Sequence, residues 1–280
     1  MFIFALPGSC ITASAGDQQE TYSSFKNNFM ARQAGIFPLE GTIGNVNFYR
    51  SIDGYLVRRK GGASADKIQK DPTFERTREN MSEFGRASTA ARLLRSSLRP
   101  LIQHAADCRM VSRLHQRMLS AIRADTVSPR GQRNATDGDM RLLKGFTFNM
   151  AVKPDAILFI PYAISFTRSS GVIMASFEPF IAAATIAAPP CTTYFRISLA
   201  ASAVDFDNGG FHVATTESAY YRWAHETVAA FNLSIALPAA SGHPVFCVLL
   251  LEFVQEANGT KRPLPNGCFN AASIVDVFTV

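Results

Sequence analysis

Near residue 140 the hydrophobic period of the chain changes from that of a helix to that of a strand, and that change divides its architecture. Upstream, Phe84, Ala87, Ala91, Leu94, Leu98 and Leu101 recur at steps of three and four, which lines up one apolar stripe on an α-helix. Asp71-Pro72 marks the start: the aspartate can cap free N–H groups, and the proline's fixed φ fits a first turn. Pro100 should kink or end the helix, because it donates no N–H and its ring crowds the preceding turn. A second helix is predicted from about Asp107 to Ala124, with Val111, Leu114, Met118 and Ile122 as its stripe. Two such helices with a short connection make an αα-hairpin.

Downstream the period is two. Phe195, Ile197 and Leu199 alternate with Arg196 and Ser198, and Phe231, Leu233 and Ile235 alternate with Asn232 and Ser234. Val245 to Phe253 is almost wholly apolar, as expected of a central strand covered on both faces. Asp207-Asn208-Gly209-Gly210 and Asn258-Gly259 supply turn chemistry between strands. Near the N-terminus, Gly41 to Gly62 reads as a β-hairpin turning at Asp53-Gly54. The predicted fold class is therefore α+β, mainly β: an N-terminal β-hairpin, an Arg-rich αα-hairpin and an antiparallel β-sandwich of jelly-roll or immunoglobulin-like type. The stretch 125–139, rich in Ser, Pro, Gly, Asn and Asp, is read as the internal boundary. This divides the chain into 30–145 and 146–280, with 1–29 as an extension or mis-assigned start and Met30 opening the domain.

Composition adds an asymmetry of charge. Residues 1–145 carry 22 basic and 13 acidic side chains, the remainder 6 and 9. The 70 residues from Arg76 to Gly145 hold 13 arginines, so something anionic is expected to meet the first half. Arg92, Arg95 and Arg99 fall beside the apolar stripe of the first helix. Arg109, Arg113 and Arg117 share the face of the second helix opposite its stripe, at i, i+4 and i+8. Arg58, Arg59 and Lys60 close the hairpin before Gly61-Gly62, without the Lys-Ser/Thr of a phosphate-binding loop. Arginine's planar fork suits carboxylate and phosphate, so these nine residues are the candidate partner- or anion-binding set.

Candidate chemistry is sparse. His225-Glu226 lacks the second histidine of a zinc helix, and Asp205-x-Asp207-Asn208 lacks the distal acid of a calcium loop. Five cysteines (Cys10, Cys108, Cys191, Cys247 and Cys268) show no metal spacing, and Cys247 reads as a buried small hydrophobe. No catalytic residue, metal or cofactor is assigned. No apolar run is long enough to span a bilayer. The opening MFIFALPGSC has no basic residue before its apolar run, so no signal peptide is read and a cytoplasmic location is favoured.

MARQAGIFPLEGTIGNVNFYRSIDGYLVRRKGG, DPTFERTRENMSEFGRASTAARLLRSSLRPLI and the tail NGTKRPLPNGCFNAASIVDVF resemble an uncharacterised protein family of Bacteroidota, matching from Met30 onward. The resemblance implies one coherent unit and carries no activity. The function expected is a non-catalytic structural or interaction protein, a self-assembling subunit that uses its N-terminal arm and helices for subunit contacts. The alternative is a nucleic-acid-binding protein working through the arginine faces, with salt-sensitive affinity. A hydrolase would need two carboxylates converging in a cleft.

Overall fold

The computed structural model describes residues 30–33, 37–59, 61–152, 154–264 and 269–279. Residues 1–29 and Lys60 lie outside them, as do Cys10 and Cys268. The chain is about 25% helix and 37% strand, and its sheets are antiparallel, so it is α+β and mainly β with a sandwich-like core. It forms two compact units, 1–65 and 66–280.

In the first unit, β1 (Met30–Arg32), β2 (Gly41–Ile43), β3 (Val46–Ser51) and β4 (Gly54–Arg59) make one sheet in the order β1-β4-β3-β2. The predicted hairpin is β3–β4, with Ser51 opposite Gly54 and Gly54 at φ +106°, where a side chain would be strained. The structure adds a short strand on each side of it. Side chains alternate across a sheet, so register sorts them into two faces. Ile43, Val46, Phe48, Tyr55 and Val57 share one face, with Arg50 and Arg59 at its corners. Thr42, Asn47, Tyr49, Ser51, Leu56 and Arg58 share the other. None of the described residues of this unit is fully buried, and Ile43 is 64% exposed.

The second unit opens with α1 (Ala65–Lys70) and a short turn of 3-10 helix that Asp71 caps by accepting the N–H of Thr73 at 2.9 Å. Then come α2 (Glu75–Ser97), α3 (Arg99–Ile102) and α4 (Met110–Arg123). The break at Leu98 sits where Pro100 requires one. Ala87, Ala91, Leu94, Leu98, Leu101, Leu114, Met118 and Ile122 are buried as their spacing predicts. Two positions differ. Met110 takes the core place expected of Val111, which is 48% exposed, and Phe84 leaves the stripe to pack its ring 4.1 Å from His115.

The strands are β5 (Tyr162–Thr167), β6 (Val172–Phe177), β7 (Phe180–Ile181), β8 (Tyr194–Asp205) and β9 (Gly210–Glu217), then β10 (Tyr221–Arg222), β11 (Thr227–Val228) and β12 (Phe231–Ala236), and finally β13 (Val245–Ala257), β14 (Thr260–Pro263) and β15 (Ala271–Phe278). Two short helices, α5 (Pro154–Ile157) and α6 (Ala182–Thr185), lie among them. β8 and β13 pair along most of their length and form the centre of the larger sheet. β9 and β10 extend it beside β8, and β15 and β14 beside β13. β12, β6 and β5 form a separate three-stranded sheet.

The central pair is apolar on both faces. Odd-numbered residues such as Ile197, Leu199, Cys247, Leu249 and Leu251 join Ile173, Ala175, Phe177, Leu233 and Ile235 of the three-stranded sheet in one core. Even-numbered residues such as Ala200, Val204, Phe246, Val248 and Leu250 join the helices in the other. A bulge opposite Cys247/Val248 shifts the parity of β15, so Ile274 and Val277 both face the helices. The helices thus share a core with the sheet, and the boundary read near 145 moves to 65/66.

The stretch 125–139 is not a linker but a docked loop. Asp125 accepts the N–H groups of Val127, Ser128 and Asn134, and the Arg86 guanidinium donates to the carbonyls of Gly131 and Arg133. Glu83, 1% exposed, accepts the Gly131 N–H at 3.0 Å and lies near Arg123 and Arg133. Gly131 is required there: its φ is +82°, and a Cβ would come within 2.9 Å of the Glu79 side chain and 3.1 Å of its Cα. Gly131→Ala is expected to cost more than the roughly 1 kcal/mol of a left-handed alanine alone. Urea unfolding of the full chain measures this, and a cost below that value would show that the loop can lift from α2 freely.

Candidate functional site

Arginines on the outward faces of α2, α3 and α4 form the candidate site, and the structure sorts them into two kinds. Arg92, Arg99, Arg109 and Arg117 are exposed and Arg95 is half-buried; among the described residues none of the five side chains has a hydrogen bond or ion pair. Arg113 differs. Its Nη1 donates to the Thr147 carbonyl at 2.7 Å, and its Nη2 donates to Asp107 Oδ2 at 2.5 Å and to the Phe148 carbonyl at 3.2 Å. The guanidinium also lies 5.3 Å from the centre of the Phe146 ring. The expectation that the whole α4 face is free for a partner is therefore corrected: Arg113 is spent within the fold.

The position of Arg113 follows from local chemistry. Residues 145–148 add to the outer edge of β15, with Gly145 donating to Ile274, Phe148 to Ala272, and Ile274 back to Phe146. The alternate carbonyl, Thr147, faces outward and would be left to water. Arg113 takes it. Asp107 completes the arrangement by accepting the N–H groups of Arg109 at 2.8 Å and Met150 at 2.9 Å. Burial works against the Asp107 carboxylate. Those two N–H groups and the Arg113 charge outweigh it, so the carboxyl sits below the usual range.

Other arginines of the block are consumed similarly. Arg78 donates to the carbonyls of Ile68 and Asp71, and Arg130 meets Glu79 and Asn80. Arg141 pairs with Asp139, and Arg76 with Glu79. Eight of the block's 13 arginines are thus engaged inside the molecule. Spacing along the helices could not reveal this, because Arg86 and Gly131 are 45 residues apart and Arg113 and Thr147 are 34 apart. In the first unit, Arg58 lies 5.4 Å over the Tyr49 ring, Arg59 is exposed, and Lys60 falls outside the described residues.

The structure also contains a cleft that spacing did not bring together. A cavity of about 530 Å³ is lined by Asp137, Asp139, Asp205 and Asp207, with Arg141 and His243. Asp205 accepts the N–H groups of Asn208 and Asp207, with the Asn208 amide at 2.9 Å, and these bonds hold its carboxyl low. The Arg141 guanidinium does the same for Asp139, and Asp207 accepts the Thr136 hydroxyl at 2.7 Å. The lowered carboxyls of Asp139 and Asp205 run opposite to the raised pKa that a general acid needs. The aspartates read as hairpin and loop residues occupy the β8–β9 turn and the docked loop. Among the described residues, no three His, Cys, Asp or Glu side chains are placed to hold a metal. Burial and Asp276 push the Cys247 thiol up to about 12, and Cys108 and Cys191 are exposed and unpaired. No described helix is long and apolar enough to cross a membrane.

Comparison of the chain with protein-family models, curated proteins and solved structures finds no match.

Two expected outcomes separate the two kinds of arginine. Arg113→Ala should destabilise the full chain by about 2–3 kcal/mol, through lost charged hydrogen bonds and an unanswered Asp107, while Arg117→Ala should stay within about 0.5 kcal/mol; chemical denaturation measures both. The sign of the pH effect follows from the lowered Asp107 carboxyl. Its contribution is full above the unfolded value of about 4 and is lost as pH falls through the folded one. Asp107→Asn should therefore be less stable than wild type at neutral pH and lose less on acidification. Equal acid sensitivity of the two chains would remove Asp107 from this role.

Proposed function

We propose that the protein is a non-catalytic structural subunit that assembles with other copies through its N-terminal sheet and its helices. One observation carries this reading. The sheet of residues 30–59 gathers Ile43, Val46, Phe48, Tyr55 and Val57 on one face, yet none of its described residues is buried. Val46, Phe48, Tyr55 and Val57 are half-buried and Ile43 is exposed, and a small sheet with an apolar face gains stability when a partner covers what is left open. Arg92, Arg95, Arg99, Arg109 and Arg117 support the same reading as cations without a partner among the described residues. A neighbouring subunit can supply their carboxylates, because the chain beyond residue 145 carries an acidic excess.

Those five arginines also sustain the nucleic-acid alternative, now without Arg113. Light scattering coupled to size exclusion tests the first reading. The wild-type chain should form oligomers whose mass rises with concentration, and Phe48→Glu should shift it towards monomer with the circular dichroism of the 66–280 unit kept. A strict monomer at every concentration and salt overturns assembly. Salt-sensitive DNA or RNA binding that Arg109→Glu/Arg117→Glu abolishes would favour the alternative.

A further inference from the structure

Sheet edges decide what a β-protein can pair with, because an open edge presents N–H and C=O groups to any other strand. Residues 145–148 cover the outer side of β15, and Arg113 occupies the carbonyl that they leave outward. Among the described residues, β5 has no such cover. It pairs with β6 along one side throughout, and between Ala163 and Phe166 no described strand or side chain is hydrogen-bonded to its other side. The strand contains no proline, no charge and no bulge, the devices that usually discourage edge pairing.

We propose that the outer edge of β5 pairs antiparallel with β5 of a second copy, about a two-fold axis through Ser165. The inference rests on the assembly reading and names a surface for it. A two-fold axis normal to a sheet keeps each face on its own side, so residues of the same parity stand opposite one another. Ser165 then faces Ser165 of the second copy, Ile164 faces Phe166, and Ala163 faces Thr167. Ile164 and Phe166 are half-buried against the sandwich core, and a β-branched residue opposite an aromatic is a favourable cross-strand pair. Ala163, Ser165 and Thr167 are exposed, small and uncharged.

Charge selects this patch for self-association. The chain carries a formal charge of +6, which opposes association of two copies, and an uncharged patch adds no local repulsion to it. β5 has none, and the nearest following cation is turned inward. The Arg168 guanidinium donates to the carbonyls of Ser241, His243, Phe278 and Thr279 and lies 5.3 Å over the Phe166 ring. A strand pair this short buries less than the roughly 1,200–2,000 Å² of stable complexes. It is therefore a weak contact by itself, and it depends on concentration.

The test is covalent trapping in the full chain with Cys10, Cys108, Cys191 and Cys268 replaced by serine. On mild oxidation Ser165→Cys should give a disulfide-linked dimer, because opposed side chains on paired strands lie about 4.5–5.5 Å apart at Cβ. Ala163→Cys should not, since its counterpart stands well along the strand. Ser165→Lys should weaken association several-fold in light scattering with unchanged circular dichroism. If the oligomer forms but Ser165→Cys does not cross-link and Ser165→Lys has no effect, this edge is not the contact, although assembly itself stands. If the wild-type chain is monomeric at every concentration, both fall together.

Discussion

The antiparallel pairing of β8 with β13 is the constraint on which the rest of residues 66–280 depends. A strand with one apolar face can support one core; these two strands are apolar on both and support two. Their register, from Val245 opposite Ala203 to Val254 opposite Tyr194, decides which side chains meet the helices and which meet the second sheet. A slip of one residue would exchange the two sets. Small residues matter on the helix side. Ser198, Ala200 and Ser202 are buried there, and α2, which packs on β8, presents Ala87, Ala90 and Ala91 to the same core. Among the described residues, the hydroxyls of Ser198 and Ser202 have no hydrogen-bond partner.

Arginine gives the molecule its second organising element. Lysine would place one compact charge, but the arginine fork can reach two carbonyls at once. Arg86 does so for the docked loop, Arg113 for the sheet edge, and Arg168 for the end of β15 and the 241–243 turn. Arg196 joins Glu252 and Glu217 across neighbouring strands. These contacts draw arginines from distant parts of the chain into the fold, while Arg92, Arg95, Arg99, Arg109 and Arg117 remain without a partner among the described residues.

Local signals in the sequence were sufficient for the local parts of this fold. Period-three-and-four spacing located α2 and α4, alternation located β8 and β12, and a continuous apolar run located β13 as a strand covered on both faces. It failed where the destination is distant. Val111 and Met110 are adjacent and both apolar, and only the angle at which α4 meets its neighbours decides between them. The polar loop 125–139 has linker composition, yet it is held by Arg86 and Glu83, whose partners no spacing rule connects. The arginine stripe on α4 was legible as a stripe, but the carbonyl waiting for Arg113 depends on how 145–148 meets β15.

The position of β15 has a consequence for the order in which the protein can mature. Ala272, Ile274 and Val277 belong to the core that buries Leu94, Leu114 and Met118. The apolar stripes of α2 and α4 therefore leave the ribosome long before the strand that completes their cover. Closing that core joins segments more than a hundred residues apart, the kind of contact that forms slowly. During synthesis these helices spend their early life as amphipathic segments without a finished core, the state in which chaperones and neighbouring nascent chains have most access to them.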